Sequence, residues 1–259
     1  MMWSRAEVVR NVALLNDDVD VVFTMCTLVT DWGLYDAMFQ SAISAGFTPD
    51  RCEYLIVDNT NGNQFDAYSG INSMISHAKG RYIIICHQDI IYRFEDSYAL
   101  EARIHEIDGI DAAWGVLGNA GARDLVNMAV RITDPYYDNA RIGPLPALVD
   151  SLDENFMILN RKANLGLSRD LRGFHFYGLD ICLHARLCGY TAYVIDYHVE
   201  HIGGAGTNSS FYRIKKEFIR KYQKSFSGRF IKTTCTSLYL SSNVFLNKTL
   251  NWGFVRHFL

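Results

Sequence analysis

An α/β protein built around a parallel sheet is the fold this sequence predicts, on three observations. Strand-like apolar runs alternate with helix-like segments over residues 19–117, and each run ends in polar residues. The most strongly β-forming run, residues 82–86, opens directly onto the polar triplet His87-Gln88-Asp89. Branched apolar residues without alternation mark a strand buried on both faces, and in open α/β sheets ligands bind just beyond the carboxyl ends of the strands. Asp89, flanked by an amide and an imidazole, reads either as a divalent-cation ligand or as a turn cap.

The elements follow in order. Residues 3–15 have the apolar spacing of a short amphipathic helix, with Ser4 as its cap. A buried strand is expected over 19–25, ending in Thr24, Cys26 and Thr27. Asp31 caps a helix through Leu34, Met38, Phe39 and Ile43, which Gly46 and Pro49 stop. A second strand over 53–57 ends on Asp58-Asn59, and a helix over 66–78 delivers the chain to the run at 82–86. A helix over 95–107 and a strand over 111–117 come next. Three of the four prolines fall between residues 124 and 146, so this interval reads as one antiparallel strand, 126–132, set in loop. A strand over 156–159 follows the acidic pair Asp153-Glu154, and a helix over 178–188 leads to a strand over 191–195. His198, His201 and the glycines of 203–206 precede a basic amphipathic helix over 210–222. The expected organisation is one domain over 1–228, with a ligand-binding half at 19–118 and a second half at 119–228, then a basic, aromatic segment over 229–259.

Composition narrows the function. A formal charge of -3 argues against general nucleic-acid binding, which needs a cationic surface to displace counterions. Arg5, Glu7, Arg10, Asp17, Asp18 and Asp20 interrupt any signal-peptide core. No apolar run reaches the ~20 residues that span a bilayer, so a cytoplasmic protein is expected. Six cysteines without a Cys-x-x-Cys pair read as reduced core thiols.

Several side chains carry candidate chemistry. An imidazole from His198 or His201 joined to Asp89 suits Mn²⁺ better than Ca²⁺, because nitrogen ligation favours the transition metal; either histidine alone is as readily structural. Asp180, at the start of a helix, is either a first-turn charge favoured by the dipole or a base for a hydroxyl nucleophile, and Asp153 has the same two readings. Residues 203–206 resemble a flexible phosphate-covering loop. Neither a dinucleotide fingerprint nor a Walker loop is present.

Taken in order, Asp58-Asn59, Gly70-Ile-Asn72, Ala78-Lys-Gly-Arg-Tyr-Ile, His-Gln-Asp89, Gly115-Val-Leu-Gly118, Leu152-Asp153, Tyr177-Gly-Leu-Asp180 and His201-Ile-Gly-Gly resemble the family 2-like bacterial glycosyltransferases of the GT-A fold. The resemblance runs from about residue 19 to 225. It implies a Rossmann-like, mainly parallel central sheet with flanking helices and a small antiparallel element on the acceptor side. It also implies transfer of a sugar from a nucleoside diphosphate sugar, usually a UDP-sugar, to a carbohydrate or lipid-linked acceptor hydroxyl, and the position of Asp180 as the base opposite the leaving group leads to an expectation of inversion. Asp89 then matches the second acid of the family's Asp-x-Asp motif and holds Mn²⁺ or Mg²⁺ with His201. Thr24, Asp58 and Asn72 fall where the family contacts the nucleoside, with His87 and Gln88 on the donor side and Asp180 as the catalytic acid. One departure stands out: His87 occupies the place of the motif's first Asp, removing a contact to ribose or metal. This departure motivates an alternative, a nucleotide-sugar-binding protein without turnover. A nucleotidyltransferase is disfavoured, since Thr24-Met-Cys-Thr27 supplies no glycine-rich basic loop. The cationic, aromatic C-terminus either lies on an anionic membrane or packs on the body.

Overall fold

The computed structural model describes residues 21–203, 209–232 and 237–252. The helix expected over 3–15, the glycines at 204 and 206 and the end of the C-terminal segment lie outside them. The chain forms two compact units divided after Gly206.

In the first unit, β1 (Phe23–Val29), α1 (Trp32–Ser44), β2 (Cys52–Asp58), α2 (Ala67–His77) and β3 (Tyr82–Cys86) alternate. They are followed by β4 (Ile90–Ile91), α3 (Ser97–Ile110), β5 (Trp114–Gly118), β6 (Ala120–Arg123) and β7 (Asn127–Thr133). Then come β8 (Ala140–Ile142), β9 (Ala147–Val149), β10 (Ser151–Leu152), β11 (Phe156–Asn160), α4 (Tyr177–Leu187), β12 (Thr191–Val194) and β13 (Val199–His201). Acidic caps start the first three helices. Asp31 accepts from the Gly33 and Leu34 amides, Asp66 from Ser69 and Asp96 from Ala99, each satisfying amides that the helix cannot.

The strands build a seven-stranded sheet in the order β2-β1-β3-β11-β5-β12-β9. β2, β1, β3, β5 and β12 share one direction, whereas β11 lies antiparallel between β3 and β5, and β9 antiparallel on β12. The sheet is thus mainly parallel, as the sequence predicts, with one reversed strand at its centre. Its core is aromatic and branched: Trp114, Phe156, Ile84, Ile158 and Met25 are almost wholly shielded from solvent. A second, mostly antiparallel sheet runs β10-β6-β7-β13-β4, with β8 on β7.

Two expectations need correction. β1 ends at Val29, four residues beyond the expected strand end, because its threonines do not end it. Thr24 Oγ1 donates to Glu53 at 2.9 Å and accepts from the Gly80 amide at 2.8 Å, and Thr27 Oγ1 meets Cys86 Sγ at 3.5 Å. Gly80 is required there, since a β-carbon would overlap the backbone of Phe23 and Thr24. The interval 119–152 is also richer in strand than its prolines suggest, with β6 and β8–β10 as short ladder partners.

The second unit contains α5 (Ser209–Phe226), the hairpin β14 (Arg229–Lys232) and β15 (Ser237–Leu240), and α6 (Val244–Leu250). The basic helix α5 therefore belongs with the C-terminal segment, whereas the sequence reading joins it to the preceding domain.

The reversed central strand generates a stability prediction. Ile158 is fully buried on β11 and Ile56 is 38% exposed on the edge strand β2. Ile158→Ala is expected to cost about 2–5 kcal/mol in urea unfolding and Ile56→Ala no more than about 1 kcal/mol. Equal losses would contradict the central placement of β11.

Candidate functional site

Strand β3 ends in a tight turn, with the Ile90 amide reaching back to the His87 carbonyl at 3.4 Å. The chain then enters β4, which pairs antiparallel with β13 so that Ile90 faces His201. This pairing brings Asp89 and His201 together. His201 Nε2 lies 3.3 Å from Asp89 Oδ1, and His87 Nδ1 lies 3.9 Å from the same oxygen. The Ile202 amide donates to the Asp89 carbonyl at 3.0 Å, and a β-carbon on Gly203 would overlap Asp89 Oδ2. His87, Asp89 and His201 offer three ligand atoms within 4.8 Å of one another. Two imidazole nitrogens and a carboxylate oxygen form a donor set for a divalent transition metal, Mn²⁺ among them, so the residues fit the implied cation.

Hydrogen bonding fixes which nitrogen of His87 faces the cluster. Tyr177 spends its hydroxyl proton on the Glu154 carbonyl at 3.1 Å, so it accepts from His87 Nε2 at 3.0 Å. His87 Nδ1 then carries the lone pair, directed toward Asp89. An outer partner that sets the imidazole tautomer in this way is the usual support of a metal-binding histidine. Phe176, at φ 66 before α4, holds the left-handed turn that presents Tyr177.

The electrostatics separate the two imidazoles. Burial and the neighbouring His201 push His87 below its ordinary value, against the pull of Asp89 and Asp153. Burial opposes charge on His201 too, yet the hydrogen bond and charge of Asp89 outweigh it and raise His201. Burial raises Asp89, but its contacts with His201 and His87 dominate and lower it. Across 3.3 Å the acid and the imidazole thus favour each other's charged forms.

A cleft of about 230 Å³ adjoins the cluster, floored by Cys26, Leu28, Ile71, Met74 and Ile85 and rimmed by Thr30, His87, Gln88, Asp89, Phe174 and Tyr177. Gln88 belongs to this rim but uses its amide on the β1–α1 turn. Its Oε1 accepts from the Thr30 and Asp31 amides at 2.8 and 2.9 Å, and its Nε2 donates to Thr30 Oγ1 at 2.7 Å. It positions Thr30.

Four other predicted residues are not brought to this cleft. Thr24 is fully buried near the amino end of β1 with its hydroxyl satisfied. Asp58 closes a turn on Thr60, which lowers its carboxyl, and lines a separate surface hollow. Asn72 clamps the Leu167 backbone through both amide atoms, at 2.8 and 3.0 Å. Asp180 is completely buried, accepting from the Ser168 amide and hydroxyl, each at 2.7 Å, and Ser168 also meets His184 at 3.2 Å. Such a carboxylate fastens the loop before α4. His198 is likewise removed: it stacks on Phe94 at 3.8 Å and bonds Thr133, and burial pushes it down to about 4.

Asp153 is exposed, and its charge acts on His87 and His201. Its Oδ1 is oriented by the amide and side chain of Asn155, at 3.0 and 2.6 Å, while the Asn155 carbonyl accepts from the His87 amide. Glu154 accepts from the Gly178 amide at 3.2 Å, and burial raises its carboxyl to about 8. Tyr177, Glu154 and Asn155 surround the cluster without being singled out by the sequence, although Tyr177 and Glu154 are neighbours in the motifs of Asp180 and Asp153.

No protein-family model matches this chain. The protein named "ATP synthase subunits region ORF 6" from Fuscovulum blasticum is 37% identical over 221 residues, covering 83% of this chain and 89% of that protein. The crystal structure of GalNAc-T7 with UDP, GalNAc and Mn²⁺ superposes with a TM-score of 0.51 at 10% identity over 76% of this chain. The match spans about half of the GalNAc-T7 chain, 48%. S. aureus TarS 1-349 in complex with UDP-GlcNAc superposes with a TM-score of 0.46 at 9% identity, over 78% of this chain and 66% of that one. The fold is thus that of the GT-A glycosyltransferases, and by its identity over most of both sequences the chain belongs to the family of the Fuscovulum blasticum ATP synthase subunits region ORF 6 protein.

Proposed function

We propose that this protein is a metal-dependent glycosyltransferase that moves a sugar from a UDP-sugar to an acceptor hydroxyl with inversion. The observation that carries the reading is the His87, Asp89 and His201 cluster at the carboxyl edge of the sheet, beside an open cleft. GalNAc-T7, whose fold is similar, is described with UDP and Mn²⁺, which supports the same ligand class here. Asp89, His201 and His87 Nδ1 would hold Mn²⁺ or Mg²⁺. Such a cation supplies positive charge where the departing diphosphate gathers negative charge.

The chain's own residues account for the rest. The apolar floor around Leu28 and Ile71 takes the uracil ring, and the Gln88-held turn at Thr30 borders it. Asp153 is assigned as the base. It accepts the acceptor's hydroxyl proton as that oxygen bonds to the anomeric carbon, while the bond to UDP breaks on the opposite face. Glu154, neutral near pH 7, adds no second negative charge beside it. The acceptor is a carbohydrate or lipid-linked hydroxyl.

One observation favours a second reading, nucleotide-sugar binding without turnover. The acid at the head of α4, Asp180, is consumed by Ser168, and His87 stands where the family carries a carboxylate. Metal-dependent UDP binding with no sugar transfer or hydrolysis, in both the native chain and Asp153→Asn, would select it.

Calorimetry of UDP with and without Mn²⁺ tests the site. Native protein is expected to bind more tightly with Mn²⁺, and Asp89→Ala to lose the metal-dependent part. Tyr177→Phe should weaken Mn²⁺ about 10–100-fold through the released His87 tautomer. UDP binding that ignores both metal and Asp89 would remove the cation from the reading.

Glu154 gives a pH prediction. Its carboxyl lies near 8 in the folded chain against a reference of 4.5, so between these values the folded state keeps a proton that the unfolded state releases. Stability from this group is present below pH 4.5 and is lost as pH rises toward 8. Glu154→Gln is therefore expected to melt higher than native protein at pH 9 and with little difference at pH 5. A constant offset across that range would refute the assignment.

A further inference from the structure

Charge is segregated along this chain. Residues 207–259 hold ten Lys and Arg against a single acid, Glu217, a net of +9, while residues 1–206 hold 15 basic and 27 acidic residues, a net of -12. Together they give the overall -3. The weak total that argues against general nucleic-acid binding is thus the difference of two large, opposite balances.

The structure of the second unit shows how its cations are displayed. On α5, Ile214, Phe218 and Tyr222 are buried. A separate line, Tyr212, Ile219 and Phe226, is 63%, 55% and 45% exposed. Residues seven apart on an α-helix drift by only about 20°, so these three form a continuous apolar stripe. Lys215, Lys216 and Arg220 are exposed beside it, and Glu217 is engaged by Arg213 at 3.1 Å. Helix α6 has no buried residue: Val244 and Phe245 are 70% and 72% exposed, and Trp252 just beyond it is 69% exposed. Apolar side chains standing in solvent among basic ones match the depth profile of a bilayer surface. Headgroup phosphates take the cations, and the acyl boundary takes the apolar groups. A nucleic-acid partner would use the cations and leave Ile219, Val244 and Phe245 without a role.

We propose that residues 209–232 and 237–252 form a peripheral binding surface for anionic phospholipid bilayers, with the Tyr212–Ile219–Phe226 stripe and the Val244-Phe245 pair entering the headgroup boundary. Surface attachment fits the absence, among the described residues, of any helix long and apolar enough to cross a membrane. The proposal is independent of the glycosyl-transfer reading.

Flotation of the full chain with phosphatidylcholine vesicles, with and without phosphatidylglycerol, tests it. Native protein is expected to float with the anionic vesicles alone, and less as salt rises. Each basic residue near such a surface contributes roughly fivefold to partitioning. The combined Lys215→Gln, Lys216→Gln and Arg220→Gln variant should therefore lose about 100-fold. Val244→Ser with Phe245→Ser should lose at least about tenfold while keeping the salt dependence. Thermal unfolding followed by circular dichroism in both variants serves as the folding control and does not depend on the nucleotide site. Flotation equal in all variants, or equal on neutral vesicles, would overturn the proposal. So would absent flotation combined with a duplex-DNA mobility shift that the serine variant retains, which would assign the surface to nucleic acid.

Discussion

The antiparallel pairing of β13 with β4 is the constraint on which the site depends. β4 is only two residues long, yet opposing Ile90 to His201 sets the register that carries an imidazole to Asp89. A shift of one residue would turn His201 to the opposite face. Two features hold the register: the Ile202 amide on the Asp89 carbonyl, and Gly203, whose missing side chain lets the chain pass against the Asp89 carboxylate. The far edge of β13 is secured by β7, parallel, with Val199 opposite Ile132. The second sheet therefore brings His201 to the ligand edge that the first sheet supplies through β3. His87 is the junction, fixed by Asn155 at its amide and by Tyr177 at its ring.

The same arrangement places two imidazoles around a single carboxylate. Two acids close together repel until one protonates or a cation separates them. Here the pair is complementary without metal: Asp89 and His201 stabilise each other, and His87 is kept neutral by burial and by that same His201. A dication held here would need the His201 imidazole deprotonated, so its affinity would fall as the solution is acidified.

Much of the fold was legible because it follows from local chemistry. Asp31 is a cap readable from its position before apolar periodicity, and 82–86 is readable from branching alone. Direction was not readable for β11: a strand buried on both faces has the same composition whether it runs with or against its neighbours. Strand length at β1 was misread because Thr24 and Thr27 appear polar in sequence but are satisfied inside the sheet by Glu53, Gly80 and Cys86. In the site, Asp89 and His201 were legible as a carboxylate and an imidazole at strand ends. Asn72 and Asp180 were legible as polar groups, but their partners, Leu167 and Ser168, lie in a loop whose path no periodicity announces.

The head of α4 holds neighbouring acids in different surroundings. The amide end of a helix favours a negative group, and Asp180 sits in that first turn but points into the loop it fastens. Gly178 has no side chain, and a β-carbon there would meet the Leu152 carbonyl and the Glu154 side chain. The space is filled from β10 and the turn after it, by the carboxyl of Glu154 on the Gly178 amide. Burial outweighs the attraction of the helix end and keeps that carboxyl protonated near neutrality. One exposed carboxylate, Asp153, and one neutral carboxyl, Glu154, then stand side by side. Such separation of two adjacent acids by their environments is how a proton acceptor and a proton-bearing neighbour coexist at one pH.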